Sequence, residues 1–124
     1  MLFHGSYIRI ADNTGAKYAL CIKLLGYYKY NSFACIGDIL VIVVKRCRVH
    51  VTKISLHKIY YALIVRTKKN YYRATAFKYN FNCNDAIMLD VQKKPLGRRV
   101  IGVVPRELRN MGWSRLVAMS EAVI

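Results

Sequence analysis

Gly37-Asp38-Ile39-Leu40-Val41-Ile42-Val43-Val44 is the stretch that decides the fold class. Gly-Asp signals a turn, and the apolar run behind it is mostly β-branched. Branching at Cβ stiffens χ1 and favours a strand over a helix. A bilayer span takes about 20 apolar residues, so this run is far too short for one. Its unbroken apolar character predicts a strand buried on both faces.

Similar segments flank it. Tyr7-Ile8-Arg9-Ile10-Ala11 alternates, and Lys17 to Leu25 is apolar apart from Lys23 within it. Ile59 to Val65, Ala86 to Val91 and Val100 to Val104 repeat the pattern. Turn residues separate these segments: Asp12-Asn13-Thr14-Gly15, Asn31-Ser32, Asn80 to Asn84 and Pro95-Leu96-Gly97. Five or six short strands in about a hundred residues predict a small closed barrel or sandwich, across residues 7–104. Beyond it, Pro105-Arg106-Glu107-Leu108-Arg109-Asn110 opens on Pro, with Glu early and Arg late, as a helix dipole favours. Gly112 ends that helix, and Ser114 is the expected cap of a second one through Met119. Residues 105–124 therefore read as a short helical region, within a single domain spanning residues 1–124.

Charge narrows the function. Lys and Arg number 21 against 6 Asp and Glu, a formal net charge of +15. On one small domain this is costly self-repulsion, which a polyanion converts into binding free energy through counterion release. Nucleic acid is the first candidate, an anionic membrane the second, a basic secreted toxin the third. The chain has no acid between Asp38 and Asp85, an interval that holds Lys45, Arg46, Arg48, Lys53, Lys58, Arg66, Lys68, Lys69, Arg73 and Lys78. Tyr60, Tyr61, Tyr71, Tyr72 and Tyr79 interleave with them. Basic ribbons with aromatics track a phosphate backbone and stack on unpaired bases. Tyr60 and Tyr61 adjoin the apolar run and read as core; Tyr71 and Tyr72, beside Lys68, Lys69 and Arg73, read as RNA contacts. A second cluster holds Lys93, Lys94, Arg98, Arg99, Arg106, Arg109 and Arg115, with Arg106 and Arg109 one helical turn apart.

Catalytic patterns are missing. The six acids are scattered, no glycine-rich phosphate loop occurs, and His4, His50 and His57 form neither triad nor metal spacing. An enzyme is excluded, and no cofactor is expected. Cys21, Cys35, Cys47 and Cys83 lie at least twelve positions apart, which excludes zinc-knuckle spacing. Their mostly apolar neighbours favour free thiols in a reducing compartment, although the count alone permits two disulfides. No signal-peptide or transit pattern is expected at the start.

Several segments together resemble the large-subunit ribosomal protein fourteen family of the universal set, in its bacterial and organellar form. Ala11-Asp12-Asn13-Thr14-Gly15-Ala16-Lys17 is similar to that family's Ala-Asp-Asn-Ser-Gly-Ala-Arg/Lys. Cys21-Ile22-Lys23-Leu24-Leu25-Gly26, Ile36-Gly37-Asp38-Ile39 and Ala62-Leu63-Ile64-Val65-Arg66-Thr67-Lys68-Lys69 follow in family order. Gly97-Arg98-Arg99-Val100-Ile101-Gly102 and Arg106-Glu107-Leu108-Arg109 complete the series. The resemblance implies a five-stranded antiparallel β-barrel with a protruding β-ribbon and short C-terminal helices. It implies a structural constituent of the large subunit that binds large-subunit rRNA. The expected contacts are Asn13, Lys17, Arg46, Arg48, Lys53, Arg66, Lys68, Lys69, Arg73 and Lys78. Expected partners are the third and nineteenth large-subunit proteins, with small-subunit rRNA across a bridge and no membrane. Arg98, Arg99, Arg106, Arg109 and Arg115 are the expected intersubunit or rRNA contacts.

The chain also departs from the family. Thr75-Ala76 stands where Asp-Gly is usual, so the hairpin there is expected to be remodelled. His57-Lys58 replaces Gly-Asp, Asn70 replaces Gly, and residues 46–56 lack the ribbon's Pro and Gly. Val103 and Pro105 stand where Pro and Thr are usual. Ten tyrosines suit an AT-rich coding genome. Together these features favour a mitochondrial copy, acting in the matrix, over a plastid one.

Overall fold

The computed structural model describes residues 2, 5–25, 33–49 and 54–124. In chain order its elements are β1 (Tyr7–Ile10), β2 (Ala16–Leu24), β3 (Ile39–Cys47), β4 (Ile59–Arg66), β5 (Tyr71–Tyr72), β6 (Lys78–Tyr79), β7 (Asp85–Leu89), β8 (Val100–Val104), α1 (Glu107–Asn110), α2 (Ser114–Ala118) and β9 (Ser120–Val123). β1, β2, β3, β4 and β7 close into a barrel in that order. Neighbours run antiparallel except at the seam, where β1 and β7 are parallel with Arg9 opposite Asp85. An odd number of strands cannot alternate in direction all the way round a ring, so one seam has to be parallel.

Ile8, Ile10, Ala19, Cys21, Leu40, Ile42, Val44, Ala62, Ile64, Ala86 and Met88 belong to one buried cluster, contributed by all five barrel strands. A barrel this small leaves room for side chains and little else. Leu63, Val65, Ile87 and Leu89, on the other face of β4 and β7, pack with Val100, Val104, Leu108, Leu116 and Val117 of the C-terminal segment. The strands buried on both faces are therefore β7 and the second half of β4. In β3, Leu40, Ile42 and Val44 are buried, while Ile39, Val41 and Val43 are half-buried. The expectation for Ile39 to Val44 is corrected because the C-terminal segment covers β4 and β7 instead.

Two further expectations change. Val100–Val104 is not a barrel strand: it pairs in parallel with β9, and Val104 in turn accepts from the Ile124 N–H at 3.1 Å. Residues 105–124 are thus helical only in their first part. Trp113, not Ser114, occupies the N-cap position of α2, and no side chain caps it. Gly112, at φ +95°, follows α1 as expected.

The hairpin of β5 and β6 forms without the usual glycine. Arg73 N–H donates to Phe77 at 2.8 Å, and Ala76 takes φ +68° to close the turn. His57, in the family's glycine position, takes φ +60°. Left-handed backbone costs an L-residue about 1–2 kcal/mol, so both turns carry that strain. The expected ribbon, residues 46–58, falls partly at 50–53, outside the described residues.

Candidate functional site

Every acidic side chain is engaged within the molecule. Asp12 accepts from the Thr14 amide and hydroxyl and, at 2.8 Å, from the Met88 amide. Asp38 accepts from the Cys35 amide, Asp90 from the Lys94 amide and Glu121 from the Gly102 amide. Asp85 takes both Arg9 Nε and Nη2 at 2.8 Å and Arg66 Nε at 2.6 Å. Glu107 pairs with Arg73 and accepts the Tyr79 hydroxyl proton at 2.9 Å. Arg9, Arg66 and Arg73 are the bases in salt bridges among the described residues.

These pairings set the acids' titration. Burial alone would raise Asp85, but hydrogen bonds from Arg9 and Cys83 and the charge of Arg66 outweigh it and hold the carboxyl below its ordinary value. Glu107 is lowered in the same way, with Arg73 overcoming burial. In Asp12 burial wins over the Thr14 and Met88 hydrogen bonds, and the carboxyl is raised. Tyr79 is pushed up by burial and by its bond to Glu107.

Two of the expected RNA contacts are engaged within the fold. Arg66 is 6% exposed; besides Asp85, its guanidinium donates to the Val103 carbonyl at 2.8 Å and the Ile101 carbonyl at 2.7 Å. It ties β8 to the barrel, with Nε, Nη1 and Nη2 each bonded within the fold. Gly102 lies against it at φ +88°, and a Cβ there would come within 2.5 Å of Arg66 Nη1. Arg73 binds Glu107 and the Ile124 carbonyl, and its guanidinium sits 4.6 Å from the Tyr79 ring centroid. It fastens the β5–β6 hairpin to α1. Tyr71 is likewise half-buried against Tyr79, at 5.3 Å between ring centroids, whereas Tyr72 is exposed.

The other expected residues fall into three groups. Asn13, Lys17, Arg46, Arg48, Arg98 and Arg99 are exposed on connected segments. Asn13 Oδ1 accepts from the Arg98 amide at 2.9 Å and the Arg99 amide at 3.3 Å. The Arg48 amide donates to Gly15 at 2.8 Å. The chain's two basic clusters thus meet at the first turn, a joining that residue spacing could not reveal. Lys68, Lys69 and Lys78 are exposed around the β5–β6 hairpin, with the Lys68 amide held by Asn84 Oδ1 at 2.9 Å. Arg106, Arg109 and Arg115 are exposed on the helical segment. Lys53 lies outside the described residues.

Sequence reasoning passed over Arg9 and Tyr18. Both line a cleft of about 230 Å³ with Asp12, Lys17, Arg48 and Ile101. The alternation of β1 could have found Arg9, which points outward between buried Ile8 and Ile10. Tyr18 follows from a β-bulge: register shifts on both sides of it leave Lys17 and Tyr18 exposed in succession. No alternating pattern announces that. The four cysteines are free thiols, with Cys21 buried and Cys35 exposed.

A small closed barrel with all its carboxylates engaged internally and an outer shell of cations defines a basic barrel protein. The chain belongs to the family described as ribosomal protein L14p/L23e, whose family model matches residues 1–124. Members are structural constituents of the large ribosomal subunit, and accordingly the chain is a ribosomal protein and not an enzyme.

Proposed function

We propose that the chain holds large-subunit rRNA through its cationic surface and contributes to the intersubunit interface during translation. The observation that carries this reading is that all six acids are engaged by groups of the chain itself. Lys17, Arg46, Arg48, Lys68, Lys69, Lys78, Arg98 and Arg99 are exposed and stand outside every salt bridge among the described residues. RNA phosphates supply the missing counter-charge, and release of their condensed counterions drives binding. Arg106, Arg109 and Arg115, exposed on the segment that covers β4 and β7, suit the small-subunit rRNA of a bridge. The family resemblance supports the third and nineteenth large-subunit proteins as neighbours. The tyrosine-rich composition and the departures at Ala76 and His57 favour a mitochondrial ribosome over a plastid one.

Binding to large-subunit rRNA across a salt series tests the reading. Replacing Lys68 and Lys69 with Ala should flatten the slope of log affinity against log salt by about 0.7–0.9 for each lost phosphate contact. Arg66 does not belong in that set, being engaged within the fold. A wild-type affinity indifferent to salt would overturn the proposal.

A further inference from the structure

The cleft beside the first turn has more structure than a patch of charge. The bulge in β2 turns Lys17 and Tyr18 outward together, and both line the cleft. Bulges re-aim side chains in this way, and they cluster near functional sites. Tyr18 lies opposite Arg9 on β1 and opposite Arg46 on β3, so an aromatic side chain stands between two arginines. It is 43% exposed. Arg9 is fixed by two bonds to Asp85 yet stays 51% exposed, so it is a cation held in place at the cleft wall. Lys17 and Arg48 complete the wall without entering a salt bridge among the described residues. Asp12, the acid of the cleft, is 7% exposed, and its oxygens are taken by Thr14 and Met88. Ile101, half exposed, adds an apolar wall.

We infer that this cleft seats one unpaired nucleotide of the RNA, with its base stacked on Tyr18 and its phosphate held by Lys17 and Arg48. The inference rests on the rRNA-binding reading and makes it more specific. An aromatic face takes any base by stacking, whereas paired bases within a duplex keep their faces covered. The surface is therefore selective for a bulge or loop at this point, while its other cations accept phosphates of any helix.

The test uses the full chain and two RNA hairpins, identical except that one carries a single bulged 2-aminopurine. The bulged hairpin should bind about tenfold tighter, within the range for stacking one base on an aromatic ring, and its 2-aminopurine fluorescence should be quenched. Tyr18→Ala should abolish both effects and leave the salt slope intact; Tyr18→Phe should keep them. Lys17→Ala and Arg48→Ala should each lower the slope by about 0.7–0.9 and keep the quenching. Equal, salt-dependent binding of both hairpins, or a bulge preference that survives Tyr18→Ala, would overturn the inference and leave the RNA-binding surface standing. Failure of the chain to bind either hairpin would remove both.

Discussion

At the scale of single residues, strain and buried charge are the features most open to test. Ala76 closes the β5–β6 turn at φ +68°. Glycine would remove a left-handed cost of about 1–2 kcal/mol and return part of it as unfolded-state entropy. Ala76→Gly should therefore raise stability by about 0.5–1 kcal/mol in denaturant unfolding, and His57→Gly should act in the same direction. Asp85 carries the largest penalty. It is wholly buried between Arg9 and Arg66, and neutralising one partner of a buried pair costs about 3–5 kcal/mol, so Asp85→Asn should lose about 3 kcal/mol. The pH dependence follows from the directions of the shifts. Asp85 and Glu107 are lowered by folding, so the stability they contribute is full above the ordinary carboxylate value, about 4, and is lost as pH falls through their folded values. Asp12 is raised, so its protonation on acidification offsets part of the loss. Unfolding at a series of pH values should show stability declining below pH about 4, with a shallower decline in Asp85→Asn.

At the scale of elements, much was legible in the sequence. The apolar and alternating runs placed all five barrel strands, because inward-facing side chains at every second position leave an apolar signature. The same signature misled over which strand has two buried faces. Ile39 to Val44 and Ile59 to Val65 look alike, and only the docking of the C-terminal segment onto β4 distinguishes them. The β9 strand was hidden for a related reason: it exists because β8 offers a partner, not because Ser120–Val123 has a strong pattern. Arg66 and Lys68 sit two positions apart in one basic motif, yet the strand's inward turn takes the first to Asp85 and leaves the second in solvent. The β5–β6 hairpin depends on Glu107, which joins Arg73 and Tyr79 to α1. Glu107→Ala should speed amide hydrogen exchange from Tyr71 to Tyr79 while the barrel amides keep their protection. Asn13→Ala should free the Arg98 and Arg99 amides in the same experiment and weaken rRNA binding without removing any charge.

At the scale of the whole molecule, charge and fold divide the work. The barrel interior and the C-terminal cover hold the shape, and the acids brace it by bonding to groups of the chain itself. What remains outward is a cationic shell on a rigid frame, suited to a fixed place in a ribonucleoprotein. The proposed role of this shell is to bind the chain to the rRNA of the large subunit. The most direct test is to sediment ribosomal particles through a moderate-salt wash and locate the chain by mass spectrometry. The chain should stay with the large-subunit peak; recovery only in the free, low-mass fraction would contradict that role.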